Sequence, residues 1–258
     1  MRHPIVTRRL GQLAAAVIGV LVAVGCSAPT ATPTPSEAAL PSVRGDESSA
    51  SAVSPSAIPQ ASPTSAGGRE LTCHLIGGPG PLFVVEVPAG WVSLQNDCGF
   101  VSATPAPGAF TAGLSAWIVG QVPSNPCQNH VTLTTSGETV DELVQALVAQ
   151  ELRNATAPTD VTLAGYEGKY LEWSVPTDIV VIDDEYHVEG CDDGNFLSWQ
   201  GRTGGTRYQQ VGGQVDLLWV LDVEGQRVVI DASYAADASQ KVRDELAAIV
   251  QTLEFVTR

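Results

Sequence analysis

One stretch of the sequence carries many of the side chains that could do chemistry: IVVIDDEYHVEGCDDGN, residues 179–195. In an extended strand alternate residues point to the same side, which places four of them on one face: Asp183, Glu185, His187 and Glu189. Carboxylates and an imidazole can ligate a cation. The spacing matches neither an EF-hand nor an HExxH motif, so a solvated acidic edge that resists strand pairing is the favoured interpretation.

A second group of charged residues lies in LLWVLDVEGQRVVIDASY, residues 217–234. Glu224 and Gly225 predict a two-residue hairpin turn, because glycine adopts positive φ readily. Counting back from the turn pairs Asp222 with Arg227, and we predict a structural cross-strand ion pair there, contributing about 0.2–1 kcal/mol. Apolar residues on both faces predict a central hairpin that is covered on both sides.

Two further motifs lack the context that their chemistry requires. AGLSAW, residues 112–117, is similar to a nucleophile elbow around Ser115, but Trp117 replaces the second glycine and the segment continues as a strand. GGPGPL, residues 77–82, has neither the GxGxxG spacing nor a following helix, so it predicts a loop between strands. The sequence therefore predicts no catalytic residue and no cofactor.

Cysteine spacing indicates disulfides rather than a metal or redox motif. Four cysteines follow Cys26, and none of them is part of a C-x-x-C pair. An even number in an exported chain favours two disulfides, for which three connectivities exist. The preferred pairing joins Cys73 to Cys98, stapling the first strands, and Cys127 to Cys191, tying two loop-rich segments.

The N-terminus is typical of an exported bacterial protein. Three arginines precede an apolar run at Leu13–Gly25, which at 13 residues is shorter than the roughly 20 that a membrane span needs. The stretch LVAVGC resembles the lipobox of bacterial lipoproteins, which implies cleavage before Cys26 and acylation of its thiol. We expect a lipoprotein signal peptide at residues 1–25 and anchoring at the extracytoplasmic face of the cell membrane; a secreted protein and an uncleaved anchor are the alternatives.

Composition divides the remaining chain into a tether and a domain. Ser27–Gly68 is rich in Pro, Ser, Ala and Thr and contains no aromatic residue, which predicts a disordered linker at residues 26–68 and one domain at residues 69–258. The net charge is −15, and cleavage would remove three arginines and no acid, giving −18. This charge argues against nucleic acid as a partner and against electrostatic docking on anionic lipid.

Periodicity predicts two helices among many strands. Thr139 and Glu142 fit a capping box before an apolar stripe through residues 139–153. Asp237 is the predicted cap of a second helix, with its stripe at Val242–Leu253. Short runs rich in Val, Trp and Tyr, separated by Gly, Pro, Asn and Asp, predict sequential hairpins. The expected fold class is α+β, an antiparallel β-sheet of hairpins flanked by helices.

The order of six segments resembles the PsbP-like domains of exported actinobacterial-type lipoproteins. The segments are VEVPAGW, TVDELVQAL, VTLAGYEGKYLEWSVP, FLSWQG, LLWVLDVEGQRVVIDASY and ELAAIVQTLEF, spread over most of Leu82–Phe255. The resemblance implies an antiparallel sheet flanked by helices, a binding or assembly role and no catalytic motif.

We therefore expect a lipid-anchored, non-enzymatic domain. Besides the membrane, which is reached through the lipid anchor, the expected partner is a cell-envelope component or a small apolar ligand, and not nucleic acid. The alternative function is a cell-envelope hydrolase or metal-dependent enzyme that uses the acidic residues 183–195.

Overall fold

The computed structural model describes residues 68–94, 98–103, 110–179 and 187–256. The strands of these residues are β1 Arg69–Cys73, β2 Leu82–Val87, β3 Trp91–Ser93, β4 Phe100–Ala103, β5 Ala112–Trp117, β6 Val119–Pro123, β7 Leu133–Thr135, β8 Thr159–Leu163, β9 Tyr166–Ser174, β10 Leu197–Gly201, β11 Thr206–Tyr208, β12 Val215–Val223, β13 Gln226–Tyr234 and β14 Glu254–Val256. The α-helices of these residues are α1 Asn129–Thr132, α2 Val140–Val148 and α3 Gln240–Gln251, and a short 3-10 helix spans Asp192–Gly194.

The β12–β13 hairpin forms the centre of a seven-stranded antiparallel sheet with the order β3-β4-β5-β13-β12-β9-β8. Both turn residues have positive φ, 54° at Glu224 and 80° at Gly225, which suits the right-handed twist of the two strands. The register pairs Asp222 with Arg227, as predicted. The central position of this hairpin is also as predicted.

Two smaller antiparallel sheets accompany the central one, with the orders β11-β10-β6-β7 and β1-β2-β14. One core packs a face of the central sheet against β2 and α3 through such residues as Phe83, Trp219 and Ile249. The other packs the opposite face against α2 and β10 through such residues as Leu147 and Trp199. The central hairpin is therefore covered on both faces, because Leu221 and Val220 enter different cores.

Helix α2 begins with the predicted capping box: the Thr139 side chain accepts from Glu142 N–H and the Glu142 side chain accepts from Thr139 N–H. It ends at Val148, earlier than the predicted stripe, and Leu152 has φ 56° and is exposed. The cap of α3 is Ser239 and not the predicted Asp237, because the Ser239 hydroxyl accepts from Val242 N–H at 3.4 Å.

Antiparallel sheets dominate the described residues, and helices are few, so the fold is richer in β-structure than the predicted α+β class suggests. All five tryptophans are buried in the cores: Trp91, Trp117, Trp173, Trp199 and Trp219. Across the described residues we find no helix that is both long and apolar enough to cross a membrane.

Candidate functional site

Only part of the predicted cation site falls on residues that the structure describes. Asp183 and Glu185 lie outside the described residues, as do the signal peptide and Cys26. The His187 ring packs closely on Gly194, where a Cβ atom would come within 2.1 Å of the imidazole. Glu189 is exposed in the turn that follows. No group of three or more potential metal-ligating side chains occurs in residues 68–94, 98–103, 110–179 and 187–256.

A different histidine approaches the acids of this segment. His130, in the single turn of α1, has its Nε2 atom 2.7 Å from Asp193 Oδ2, and its backbone N–H donates to Asp192 Oδ2 at 2.9 Å. The hydrogen bond and charge of Asp193 raise the pKa of His130. We call these three residues the exposed His–Asp cluster, since their side chains are 56%, 31% and 71% exposed for His130, Asp192 and Asp193. No local sequence pattern predicts this cluster, because 62 residues separate His130 from Asp192.

The four cysteines lie at disulfide distance in the preferred pairing. The Cα atoms of Cys73 and Cys98 are 4.5 Å apart, and those of Cys127 and Cys191 are 4.1 Å apart. The second disulfide joins the segment before α1 to the segment that carries Asp192, and Asp192 N–H also donates to Cys127 O at 2.8 Å. The exposed His–Asp cluster is thus positioned by a covalent crosslink.

The predicted ion pair between Asp222 and Arg227 is wrong, although the two residues lie opposite each other. Asp222 Oδ1 accepts from Gly225 N–H at 2.7 Å, which stabilises the turn. The Arg227 guanidinium is turned inward and donates to Ser136 Oγ and to four backbone carbonyls, those of Val119, Ser136, Gly137 and Thr139, at 2.6–3.3 Å. These acceptors hold the segment before α2 against β6, so Arg227 has a structural role of another kind.

Four charged side chains contact one another inside the protein. Arg207 on β11 donates to Asp231 Oδ2 at 2.6 Å and to Asp216 Oδ1 at 3.3 Å. Arg153 Nη1 lies 3.7 Å from Asp216 Oδ2. All four side chains are at most 3% exposed, and we call them the buried ionic network. Charged residues are almost never fully buried without partners, so each depends on the others.

Amides and a hydroxyl complete the surroundings of this network. Asp216 accepts from the side chains of Gln209 and Gln214, and Arg207 also donates to Ser233 Oγ at 3.2 Å. Within the described residues, Asp231 Oδ1 accepts no hydrogen bond. Asp216 on β12 and Asp231 on β13 therefore place carboxylates in an otherwise apolar interior.

Burial changes the proton affinity of two members of the network. Desolvation raises the pKa of Asp231 to about 6, against the opposing effect of Arg207. Desolvation also lowers the pKa of Arg153 to about 9, while the charge of Asp216 acts in the opposite direction. The Arg153 guanidinium lies over the rings of Trp173 and Phe196, with its Cζ 4.5 and 4.7 Å from the ring centroids. Aromatic rings therefore cover the Arg153 end of the network.

A groove open to solvent lies at the turn of the central hairpin. It has a volume of about 450 Å³, and its lining residues are His74, Leu75, Gly78, Pro79, Gly80, Pro81, Val223, Glu224 and Gln226. Leu75 and Val223 are buried and form an apolar floor, while His74 and Glu224 are exposed. The glycine-rich segment that sequence analysis predicted as a plain loop therefore forms one wall of a cavity.

Several contacts fix the wall of this groove. Gln226 Nε2 donates to Pro79 O at 2.7 Å, and Thr203 N–H donates to Gly77 O at 2.7 Å. Gly77 has φ 87°, and a Cβ atom there would come within 2.6 Å of Gly201 Cα, so only glycine fits. The disulfide of Cys73 directly precedes His74. The groove is consequently formed in advance of any ligand.

Comparison with known proteins gives weak structural similarities. No protein-family model matches the chain, and no curated protein matches it in sequence. LpqN, involved in cell envelope biogenesis of Mycobacterium tuberculosis, is similar at 15% identity with a TM-score of 0.36, over 74% of this chain and 92% of LpqN. The cyanobacterial PsbP of Synechocystis matches at 16% identity with a TM-score of 0.31, over 77% and 99% of the two chains.

A protein from Bacteroides thetaiotaomicron matches at 12% identity with a TM-score of 0.31, over 68% of this chain. The match spans less than half of that protein, 46% of its length. Similarities of this degree establish neither a family nor a function for the chain.

Proposed function

We propose that the chain is a lipid-anchored extracytoplasmic protein whose domain binds a small ligand in the groove at the β12–β13 turn, without catalysing a reaction. The observation that carries this proposal is the groove itself, open to solvent and about 450 Å³ in volume. Ligand pockets in proteins usually measure about 300–1,000 Å³ and combine an apolar surface with a few polar groups. Leu75 and Val223 supply the apolar surface, and His74, Glu224 and Gln226 supply the polar groups.

The extracytoplasmic location is supported by two separate features of the chain. Disulfides form and persist in oxidising compartments, and both cysteine pairs lie at bonding distance. The N-terminal sequence with its lipobox-like LVAVGC supports a lipid anchor at Cys26. Membership of the PsbP-like lipoproteins is part of the same proposal and rests on the order of segments in the sequence.

A substitution that fills the groove tests the binding site. Pro79 is exposed at its wall, and Pro79→Trp would place an indole there. The matched control is Pro158→Trp, because Pro158 is exposed in the loop before β8. Both are made in the full chain carrying Cys26→Ala, which lacks the acylation site, and a fragment mixture is screened by amide NMR shifts. We expect fragments that shift Gly80 and Gln226 in the parent and in Pro158→Trp but not in Pro79→Trp.

Two results would contradict the binding proposal. One is the absence of any fragment that shifts the groove amides in the parent protein. The other is unchanged binding in Pro79→Trp, which would place the ligand elsewhere.

The anchor has its own test. Cys26→Ala removes the thiol that acylation requires, so the protein should leave the membrane fraction for the soluble fraction. Immunoblotting of fractionated cells measures this. Continued membrane association of Cys26→Ala would disprove the lipid anchor and leave the groove proposal intact.

A further inference from the structure

The polar atoms of the groove are mainly acceptors. Glu224 contributes a carboxylate that makes no hydrogen bond or ion pair with any residue the structure describes. Gln226 donates one of its two Nε2 hydrogens to Pro79 O, and its Oε1 atom is an acceptor. That atom faces the groove wall, since it lies 3.1 Å from where a Cβ of Gly80 would be. His74 adds an imidazole, which can accept through one ring nitrogen.

Donors are correspondingly few in the wall of the groove. Pro79 and Pro81 have no backbone N–H, because the proline ring replaces the hydrogen. Of the four residues 78–81, only Gly78 and Gly80 retain one. A ligand with several hydrogen-bond donors fits such a lining better than a ligand with several hydrogen-bond acceptors.

The charge of the groove and of the whole chain agrees with this arrangement. Among the described residues that line the groove, Glu224 is the single carboxylate, and none is a lysine or arginine. The chain as a whole carries a formal net charge of −15, which attracts cations and repels anions. Below the polar rim, the floor of Leu75 and Val223 can bury a short hydrocarbon group.

From these features we infer that the groove binds a primary ammonium group carried on a short apolar body, with Glu224 as the carboxylate that receives it. This inference rests on the proposed binding function and names its ligand class. An ammonium has three donors and no acceptor, which matches the acceptor-rich rim. Charge-assisted hydrogen bonds of this type are about twice as strong as neutral ones.

Three probes with the same hydrocarbon chain and different polar heads separate the chemistry of the head from that of the chain. They are n-butylammonium, n-butanol and butyrate, titrated into the full chain carrying Cys26→Ala at constant ionic strength. Amide shifts of Gly80, Gly225 and Gln226 report on the groove. We expect butylammonium to shift these amides with an affinity at least about fivefold higher than butanol, and butyrate to leave them unchanged.

Glu224→Gln removes the charge while keeping the shape of the side chain, and should weaken butylammonium binding about fivefold or more. Glu224→Gly is the second variant, because position 224 has φ 54° and glycine preserves the turn without the carboxylate. The matched control is Glu189→Gln, which removes the same charge from an exposed turn. Glu189 lies far from the groove. Its neighbour Val188 packs with Val175 beyond the start of β12, whereas the groove lies at the end of β12, and this nine-residue strand is roughly 27 Å long.

Each outcome has a defined meaning. Loss of affinity in both Glu224 variants with none in Glu189→Gln supports the inference. Equal or tighter binding of butanol or butyrate at the groove amides overturns the ammonium class but keeps the groove as a ligand site. Equal weakening by Glu189→Gln, or shifts spread over the acidic surface, shows general attraction of cations and also overturns it. If no probe shifts the groove amides, the ammonium inference falls, and the fragment screen decides separately whether the groove binds anything.

Discussion

The buried ionic network and the exposed His–Asp cluster have ion-pair distances of nearly the same length, but one lies inside the protein and the other at its surface. The shortest nitrogen–oxygen distance is 2.6 Å in the network, from Arg207 to Asp231, and 2.7 Å in the cluster, from His130 to Asp193. The first pair is 3% and 0% exposed, and the second is 56% and 71% exposed. Because water screens charges and hydrates them when a pair breaks, distance alone does not decide what an ion pair contributes. Burial decides it.

Removing the central base of the network should produce the largest loss of stability. Arg207→Met keeps an unbranched apolar side chain but leaves the Asp231 carboxylate without its guanidinium donor and Asp216 with the more distant guanidinium of Arg153. Breaking a buried pair in this way costs about 3–5 kcal/mol, because a charge remains buried and uncompensated. Urea unfolding followed by tryptophan fluorescence measures the free energy of unfolding.

Arg202→Met is the control for this substitution. Arg202 pairs with Glu138 at 3.1 Å, but its side chain is 46% exposed and that of Glu138 is 85% exposed. Its loss should change the free energy of unfolding far less than Arg207→Met does. Equal effects of the two substitutions would contradict the distinction between buried and exposed pairs.

The raised pKa of Asp231 should produce the next largest effect, which is a change of the free energy of unfolding with pH. Burial raises the pKa of Asp231 to about 6 from its ordinary value of 3.8, so the folded state holds this proton more tightly than the unfolded state does. Stability from this group is therefore fully present below the unfolded value and is lost as the pH rises through about 6. The groups that face Asp231 are Arg207, Asp216 and Arg153.

Asp231→Asn removes this titration while preserving the shape of the side chain. Between pH 4 and pH 7, the stability of the native protein relative to Asp231→Asn should fall by about 2–3 kcal/mol. Urea unfolding at intervals of half a pH unit measures the difference. A constant difference across this range would show that Asp231 titrates alike in both states, and a difference that grows with pH would show that Arg207 outweighs desolvation.

The sequence predicted the strands that carry the acids of the network better than it predicted the arginines that pair with those acids. Local patterns sufficed for the turn at Glu224 and Gly225, the register of β12 with β13 and the capping box of α2, because each depends on residues close together in the chain. Asp216 and Asp231 also stand out as acids in apolar strands. Their partner Arg207 comes from the short strand β11, and nothing in its local sequence reveals that it lies between two sheets.

The same limit explains both the missed groove and the wrong ion pair. The groove joins residues 74–81 to residues 223–226, which are distant in sequence, so no local motif encodes it. The predicted register places Asp222 opposite Arg227 correctly, but register does not tell whether two side chains turn toward each other. The Arg227 guanidinium donates to four acceptors in residues 136–139 and to a fifth, Val119 O, which is 108 residues away in sequence, and together they outweigh one exposed carboxylate.

The smallest expected effect belongs to the exposed His–Asp cluster. The hydrogen bond and charge of Asp193 raise the pKa of His130 above its ordinary value of 6.5. Its stabilising contribution is therefore fully present below pH 6.5 and lost as the pH rises through the higher folded pKa. His130→Gln should lower the urea midpoint slightly at pH 5.5, where the imidazolium pairs with Asp193, and leave it unchanged at pH 9.

Asp193→Asn should have the same effect at pH 5.5, and the double variant should add nothing, since both remove one interaction. Because water replaces the lost partner on either side, the change at pH 5.5 should stay well below that of Arg207→Met at any pH. A loss comparable to Arg207→Met would mean that the disulfide at Cys127 and Cys191 depends on the cluster for its position rather than positioning it. In that case the disulfide near the His–Asp cluster, and not exposure to water, would explain how the cluster and the buried ionic network differ in their contributions to stability.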